Sequence, residues 1–455
     1  MLILATGCDK FLDIAPPKTE LDSKVIFSNT TTVNAAITAI YARMGTVNGT
    51  PFSNICWLTG LSADEFTNYA TNQNVLAFYT NSLSSNNPNM TSYFWTPFYN
   101  MIFQANAIIE GLEENDVINK DISNQITGEA KFIRAFYHFY LTNLFGDVPV
   151  ITSTDYRLNA SLPRTPSPNV YNQIIRDLVD AKELLHDYYV GADGISSNKE
   201  RVRPNKFTAQ ALLARVYLYI GENKNAEIEA TEIIENNLYD LPTDLSSVFL
   251  KNSSESIWQI QPVANVSTTF ADKFIITASP TSGINRSVTL SPSIIGNFQA
   301  SDLRQINYIG TRTTGGNTFK YVNKHKVNVN NNEEYNMVLR LSEQYLIRAE
   351  ARIKLGKVEK GLNDLNIIRM RANVDEYKIE TIAVDPLLLV ELERERELFA
   401  EGHRWFDLRR THRIDQVMSA ASPFKGGQWS SKNKLYPIPE IERTNNPNLS
   451  QNDDY

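Results

Sequence analysis

Residues Leu341 to Asn373 read LSEQYLIRAEARIKLGKVEKGLNDLNIIRMRAN. Two apolar stripes at helical spacing divide this stretch, namely Tyr345, Leu346, Ala349 and Ile353, followed by Val358, Leu362, Leu365, Ile368 and Ala372. Between the stripes lies Gly356, a residue that readily adopts the positive φ found just after the end of a helix. The pattern predicts two helices joined by a tight turn.

Small residues in this hairpin lie where the two helices must approach each other. Ala349 and Gly361 occupy these positions, as is typical of a tetratricopeptide-type (TPR) repeat, and an ordinary helical hairpin is the alternative. The same pattern recurs from Ala211 to Asn236 and, more loosely, after Ala130. Because the copies are irregularly spaced, we predict a mainly α protein, a TPR-like scaffold of helical hairpins with large insertions. Such repeats leave grooves that usually bind a ligand or a partner.

The composition restricts the class of protein. The chain has 455 residues, of which 42% are hydrophobic and 21% charged, as in an ordinary folded protein. Its formal net charge of −7 argues against a nucleic-acid-binding protein, because such a protein needs a basic surface. No apolar run approaches the roughly 20 residues that a membrane-spanning helix requires.

The last predicted helix, Leu387 to Thr411, carries opposite charges one turn apart. The pairs are Glu391 with Arg394, Glu393 with Arg396, Glu401 with Arg404, and Asp407 with Arg410. They are typical of a salt-bridged helix packed into a scaffold, and acid–base catalysis is the alternative. The chain has no nucleophile elbow, phosphate-binding loop or dinucleotide fingerprint, and its five histidines are dispersed. We therefore predict no catalytic residue, no metal ligand and no cofactor.

Changes in pattern along the chain predict its domain organisation. From Gly60 to Tyr93 the chain is rich in Asn, Ser and Thr, which indicates a long loop. After Leu241 the helical period is lost, and Ser256 to Ile260 and Phe319 to Val329 are predicted strands. We predict a surface tether at residues 9–30 and one domain over residues 31–455. Within the domain, TPR-like helices are expected at about 94–240 and 341–411. A loop-rich, partly β insertion is expected at about 241–335, and a C-terminal loop region at 412–455.

Five segments together resemble the SusD/RagB family of outer-membrane lipoproteins from Bacteroidetes-type bacteria. They are CDKFLD from Cys8, RAFYHFYLTNLFGDVPV from Arg134, LIRAEARIKLG from Leu346, ERERELFAEGHRWFDLRR from Glu393, and YPIPEIERTNNPNLSQN from Tyr436. Their order and the whole length match, so the resemblance covers essentially the full chain. One departure lies at the end, where Asp453 and Asp454 replace the usual Pro-Gly before the last Tyr.

The resemblance implies a fold and a function. The fold would be a SusD-like α/α superhelix. The protein would be lipid-anchored on the extracellular face of the outer membrane, capture a glycan, and deliver it to a SusC-like TonB-dependent transporter without catalysis. Two alternatives stay open, a peptide-binding RagB-like lipoprotein and a TPR-type protein–protein scaffold without a small ligand. A glycoside hydrolase is a third, since carboxylates are plentiful.

The two cysteines, Cys8 and Cys56, are too few for a disulfide framework or a cysteine metal site. Cys8 ends the apolar stretch MLILATGC, which resembles the lipobox of a bacterial lipoprotein signal. The stretch departs from that pattern at Ala5, where Leu is commonest, and no basic residues precede it. We expect residues 1–8 to be the remnant of a signal that ends at a lipidated Cys8. A frayed N-terminus with a buried thiol is the alternative.

A shallow glycan site needs flat aromatic side chains for the C–H faces of sugar rings and polar side chains for the hydroxyl groups. The Asn-rich loop and the insertion contain both kinds. The predicted ligand-binding residues are Tyr69, Asn72, Tyr79, Tyr93 and Trp95 from the loop, with Tyr308, Arg312 and Tyr321 from the insertion. The alternative for Trp95 is packing into the core, and for Tyr308 and Tyr321 it is a structural role in strands.

Overall fold

The computed structural model describes residues 23–46, 52–262, 266–329, 331 and 333–455. The predicted signal remnant and the lipidation site at Cys8 lie outside these residues. The last part of the predicted tether is described: Ser23–Ile26 form a helical turn, and the ring of Phe27 packs on Gly111. Within the described ranges, no helix is both long enough and apolar enough to cross a membrane.

The longer helices form the body of the molecule. They are α1 (Thr30–Met44), α2 (Phe52–Ser62), α3 (Gln73–Tyr79), α4 (Thr96–Leu112), α5 (Lys120–Phe145), α6 (Ser167–Leu184), α7 (Lys206–Tyr219), α8 (Asn223–Ile234), α9 (Leu341–Lys354), α10 (Val358–Arg371), α11 (Pro386–Leu398), α12 (Arg404–Arg410) and α13 (Ile414–Ala421). Helices α4 to α10 pack one against the next, although the insertion separates α8 from α9 in sequence. The predicted scaffold of helical hairpins is confirmed.

Short helical segments lie between these helices. Besides Ser23–Ile26 they are Pro88–Met90, the π-helical turn Thr91–Trp95, Tyr156–Asn159, Leu245–Ser247, Thr269–Phe274, Pro292–Gly296, Arg304–Asn307, Ser422–Lys425, Ser431–Lys434 and Glu440–Asn445. Much of the C-terminal region therefore consists of single turns and loops that cover the helices.

The hairpin α9–α10 shows why the small residues are needed. Gly356 has a φ of 77°, so the chain can turn directly after α9. A Cβ atom on Gly361 would lie 2.5 Å from the side chain of Ile353 and 2.7 Å from the carbonyl oxygen of Ala349. The two helices therefore approach too closely for any larger residue at position 361.

Six short strands form three antiparallel pairs in the part of the chain that the structure describes. The strands are β1 (Phe66–Asn68), β2 (Ser256–Ile260), β3 (Val288–Leu290), β4 (Ile309–Thr314), β5 (Asn317–Val322) and β6 (Asn336–Arg340). Strand β1 pairs with β3, β2 with β6, and β4 with β5. The predicted strand β2 is confirmed. The second strand was predicted at Phe319 to Val329, but the observed strand β5 begins at Asn317 and ends at Val322. It ends there because Lys324 turns inward and donates hydrogen bonds to two buried carbonyl oxygens.

The predicted helix from Leu387 to Thr411 is broken. Helix α11 ends at Leu398 and α12 begins at Arg404, with Ala400 at a φ of 60° and Gly402 at 77° between them. The pair Asp407–Arg410 is present at 2.8 Å. Glu393 and Arg396 also pair, at 3.4 Å. The other two predicted pairs have different partners. Glu391 and Arg394 pair with residues in or just after α12. Glu401 and Arg404 pair with the distant residues Arg340 and Asp64.

Candidate functional site

One face of the hairpin β4–β5 is aromatic. Arg312 lies opposite Phe319, and Gly310 lies opposite Tyr321. Because side chains alternate across a strand, these four residues share one face. A Cβ atom on Gly310 would lie 2.3 Å from the ring of Tyr321, so that ring lies directly over the glycine. The hairpin thus presents a flat aromatic ring beside a guanidinium group.

Tyr69 brings the Asn-rich loop to this hairpin. It directly follows β1, and its backbone N–H donates to the carbonyl oxygen of Ser287 across 2.8 Å, which continues the pairing with β3. Its ring meets the ring of Phe319 edge-on, with centroids 5.9 Å apart and planes at 84°. Such edge-to-face pairs fix the orientation of both rings. Tyr69 is nevertheless 37% exposed, so the pair leaves ring surface free for a ligand.

Tyr79 is a second tyrosine near Tyr69. It is half-buried at the end of α3, and its hydroxyl group interacts with the backbone of Asn68 and electrostatically with Tyr69. Burial raises the pKa of Tyr79, which keeps it a neutral hydrogen-bonding group at physiological pH. We use the name aromatic surface for Tyr69, Tyr79, Arg312, Phe319 and Tyr321.

Asn72, three residues after Tyr69 in the chain, has one of its two polar groups already used. It caps helix α3, and its side-chain oxygen accepts hydrogen bonds from the backbone N–H groups of Asn74 at 2.9 Å and Val75 at 3.2 Å. The side chain is exposed, so the amide NH₂ group is the part that a ligand can use.

Three predicted residues lie elsewhere. Tyr308 has no exposed surface, and its ring packs edge-on against Phe249 with centroids 5.4 Å apart, so the prediction that it contacts a ligand is corrected. Trp95 is only 4% exposed and packs against Phe145. It lines a separate pocket of about 300 Å³. Tyr93 is half-buried against the core.

The residue that the sequence analysis missed is Phe319. It alternates with Tyr321 in the segment NTFKYV of β5, so the period of a strand places both rings on one face. The sequence alone predicts that relationship once the strand is recognised. It does not predict that Tyr69, far away in sequence, packs against Phe319.

The described residues contain no group of three or more His, Cys, Asp or Glu side chains placed to hold a metal ion. The aromatic surface provides stacking area, hydroxyl groups and a guanidinium group, and Asn72 provides an amide. These groups are suited to binding a polar, ring-containing ligand by stacking and hydrogen bonds.

The helical-hairpin scaffold defines a TPR-like helical protein, and it carries an exposed aromatic surface. Comparison with known proteins identifies its family. Residues 10–218 match a family model described as starch-binding and associating with the outer membrane, and residues 295–455 match the model of the SusD family. The chain belongs to the SusD/RagB family, a family of glycan-binding proteins that associate with the outer membrane.

Individual relatives match the chain along nearly all of its length. SusD-like protein P2 of Formosa agariphila is 27% identical, over 99% of this chain and 97% of that protein. A SusD superfamily protein from Bacteroides vulgatus superposes with a TM-score of 0.81 at 22% identity, covering 94% of this chain and 100% of that one. A laminarin-binding SusD-like protein superposes with a TM-score of 0.75 at 22% identity, with the same coverage of both chains. The two superpositions confirm the fold.

Proposed function

We propose that this protein is a cell-surface lipoprotein that binds oligo- or polysaccharides through the aromatic surface. It then delivers them to a SusC-like TonB-dependent transporter in the outer membrane. The observation that carries the proposal is the contact between Tyr69 and Phe319, because it joins two distant segments into one exposed surface of oriented rings. Membership of a glycan-binding family supports the same conclusion.

The roles of the side chains follow from sugar chemistry. The ring of Tyr321, held flat over Gly310, and the exposed part of Tyr69 would stack on the C–H faces of sugar units. Arg312 is exposed beside them and donates hydrogen bonds, as does the amide of Asn72. A glycan site of this kind binds its ligand and leaves it chemically unchanged, so we assign no catalytic step to the protein.

The test is calorimetry with a panel of oligosaccharides. Laminarin oligosaccharides come first, because a protein of the same fold binds laminarin. We expect Tyr69→Ala to weaken binding by about tenfold or more, which corresponds to about 1.4 kcal/mol. Tyr156→Ala is the matched control, since Tyr156 is a tyrosine with 75% exposure outside the aromatic surface. Unchanged affinity in Tyr69→Ala, or binding of peptides but no saccharide, would contradict the proposal.

The anchor and the partner complete the proposed role. One acyl chain holds a protein only marginally at a membrane, so stable anchoring at Cys8 requires at least two chains. Tethering beside a transporter raises the effective concentration of captured cargo without tight binding. When the protein is expressed behind a complete lipoprotein signal, Cys8→Ala should release it from the membrane fraction. Native membranes should yield a TonB-dependent receptor as the dominant partner; recovery of soluble proteins instead would favour the scaffold alternative.

A further inference from the structure

A pocket of about 910 Å³ lies between the C-terminal end of α5, the start of α6, helix α12 and the C-terminal loops. Its volume is in the range of pockets that hold small-molecule ligands. It shares no lining residue with the aromatic surface. Five cationic side chains line it, namely Arg164, Arg409, Arg410, Lys432 and Lys434. What the pocket can bind depends on which of these cations are already neutralised by the protein.

Three of the cations are already used. Arg410 pairs with Glu350 at 2.5 Å, and Lys434 pairs with Asp415 at 2.5 Å. The guanidinium group of Arg164 donates hydrogen bonds to four backbone carbonyl oxygens at 2.7–3.4 Å. These groups therefore have few donors left for a ligand.

Arg409 differs from its neighbours. Its Nη1 donates to the carbonyl oxygen of Asn143, and this is its one hydrogen bond to the described residues. None of the described carboxylates forms an ion pair with it, and burial lowers the pKa of Arg409. Its Nε and Nη2 have no partner in the described chain, yet they are not among the fully buried polar groups, so both are accessible beside the pocket. No described side chain offsets the cost of placing this charge partly out of water.

A structural role explains part of this arrangement. Asn143 lies in the last turn of α5, and a cation near the C-terminus of a helix interacts favourably with the helix dipole. That role uses Nη1 of Arg409 only. It leaves Nε and Nη2, two N–H donors that point the same way and can bind one carboxylate through two parallel hydrogen bonds.

The rest of the wall limits the charge of the ligand. Lys432 is exposed, and its Nζ donates to the backbone carbonyl oxygen of Asp454 at 3.1 Å without forming an ion pair to any described carboxylate. The carboxylates of Asp147, Asp453 and Asp454 also line the pocket, and Asp147 is held by the backbone N–H of Ser167 at 2.7 Å. These acids would repel a doubly charged phosphate more strongly than a singly charged carboxylate.

We propose that this pocket is a second ligand site, in which Nε and Nη2 of Arg409 bind the carboxylate group of a small organic ligand. Lys432 adds positive charge at the exposed side of the pocket. An acidic sugar and a free organic acid share this chemistry, and the experiment separates the two. The site is distinct from the aromatic surface, so the inference does not depend on the proposed function.

The test is calorimetry at low ionic strength with oligogalacturonate, the same oligosaccharide as its uncharged methyl ester, succinate and inorganic phosphate. We expect a carboxylate probe to bind and the methyl ester not to bind. Tighter binding of oligogalacturonate identifies an acidic sugar as the ligand, and tighter binding of succinate identifies a free organic acid. Absence of binding by both carboxylates, or tighter binding of phosphate than of either, would overturn the inference.

Variants of Arg409 separate a ligand contact from a structural role. Arg409→Gln should weaken binding of the carboxylate probe by about tenfold or more. Arg409→Lys keeps a cation near the end of α5 but loses the paired donors, so it should melt like the unmodified protein and still bind weakly. Arg176→Gln is the matched control, because Arg176 is an exposed arginine outside the pocket. Full affinity in Arg409→Lys would show that the paired donors do not hold the ligand.

A further variant avoids any question of folding. Asp454 is exposed and has a φ of 67°, a conformation that Asn also tolerates. Because Asp454→Asn removes a like charge from the pocket, it should strengthen binding of the carboxylate probe, and unchanged affinity would contradict the proposed site. Tyr69→Ala should leave this binding unchanged. Binding that is lost in Tyr69→Ala and kept in Arg409→Gln would place the carboxylate at the aromatic surface and overturn the inference while leaving the proposed function intact.

Discussion

Arg340 and Glu397 form an ion pair of 2.6 Å in which neither side chain is more than 2% exposed. Arg340 ends strand β6 at the boundary between the insertion and α9, and Glu397 lies in α11. The pair therefore joins the insertion, which carries the hairpin β4–β5, to a helix of the scaffold. Arg304 and Arg371 also donate to Glu397, at 3.1 and 2.7 Å, so this one carboxylate connects three arginines from different elements.

Glu397→Gln should destabilise the protein strongly. Burial alone would raise the pKa of Glu397, but Arg371, Arg340 and Arg304 together lower it far below the ordinary value, so the side chain is charged in the folded state. Removing the charge takes one shared carboxylate away from three buried guanidinium groups, each of which keeps another carboxylate partner. The cost should therefore lie near the lower end of the about 3–5 kcal/mol that is typical of a broken buried ion pair. Denaturant unfolding measures the loss of unfolding free energy.

The control for this substitution is Asp155→Asn. Asp155 pairs with Arg157 at 2.7 Å, but at the surface, where an ion pair contributes little to stability. The denaturant midpoint of the Asp155→Asn variant should match that of the unmodified protein. Equal stability of Glu397→Gln and Asp155→Asn would show that the buried network does not hold the insertion to the scaffold.

The sequence predicted the helices well and these ion pairs poorly, for a physical reason. Helical periodicity is local, so the hairpin α9–α10 can be recognised from one stretch. Ion pairs in the interior depend on which elements meet in space. The sequence analysis paired Glu401 with Arg404, whereas the structure pairs Glu401 with Arg340 and Arg404 with Asp64. The break between α11 and α12 separates the predicted partners.

The candidate site shows the same division between local and long-range information. Arg312 and Tyr321 share a face because strands alternate, and this could be predicted once the hairpin was known. Tyr308 lies one residue before β4, at the C-terminal end of the turn Arg304–Asn307, and points into the core. Composition alone gave no means of distinguishing it from Tyr321. The approach of Tyr69 to Phe319 is a tertiary contact that local pattern does not encode.

Glu65→Gln should change how stability depends on pH. Burial, reinforced by the nearby carboxylate of Asp64, raises the pKa of Glu65 to about 8, although the backbone N–H of Ala400 donates to it at 3.0 Å. In the unfolded chain the pKa of this carboxyl group is near its ordinary value of 4.5. Between these values the folded state holds a proton that the unfolded state has lost, so this group makes stability fall as pH rises.

The two proteins should therefore be compared at several pH values. The glutamine variant carries no titrating group at position 65. Between about pH 4.5 and about pH 8, the unfolding free energy of the unmodified protein should fall relative to that of the variant. Above about pH 8 the difference between the two unfolding free energies should stay constant. The slope in between should approach 1.4 kcal/mol per pH unit. If the difference in unfolding free energy between the two proteins did not change between about pH 4.5 and about pH 8, Glu65 would already be ionised in the folded protein throughout this range.

Gly310→Ala should impair binding through Tyr321. The added Cβ atom would lie 2.3 Å from the Tyr321 ring, so the ring must leave its position over the strand. The ring is partly exposed and can move outward, so the cost in stability should stay within the lower part of the roughly 1–3 kcal/mol range for overpacking. The loss should instead be seen in calorimetry with the binding oligosaccharide, as a drop in affinity of about tenfold.

A double-substitution cycle tests whether the glycine acts through the tyrosine. If Gly310 only positions the ring, Tyr321→Ala removes the group that the glycine holds, and adding Gly310→Ala to that variant should change the affinity no further. If the two losses add, the glycine has an effect of its own, for example on the shape of the hairpin or on the neighbouring pair of Phe319 and Tyr69. Thr313→Ala is a suitable control within β4, because its hydroxyl bonds to Thr318 on the opposite face of the same hairpin. Binding by this control should equal that of the unmodified protein, since the change leaves the aromatic face untouched.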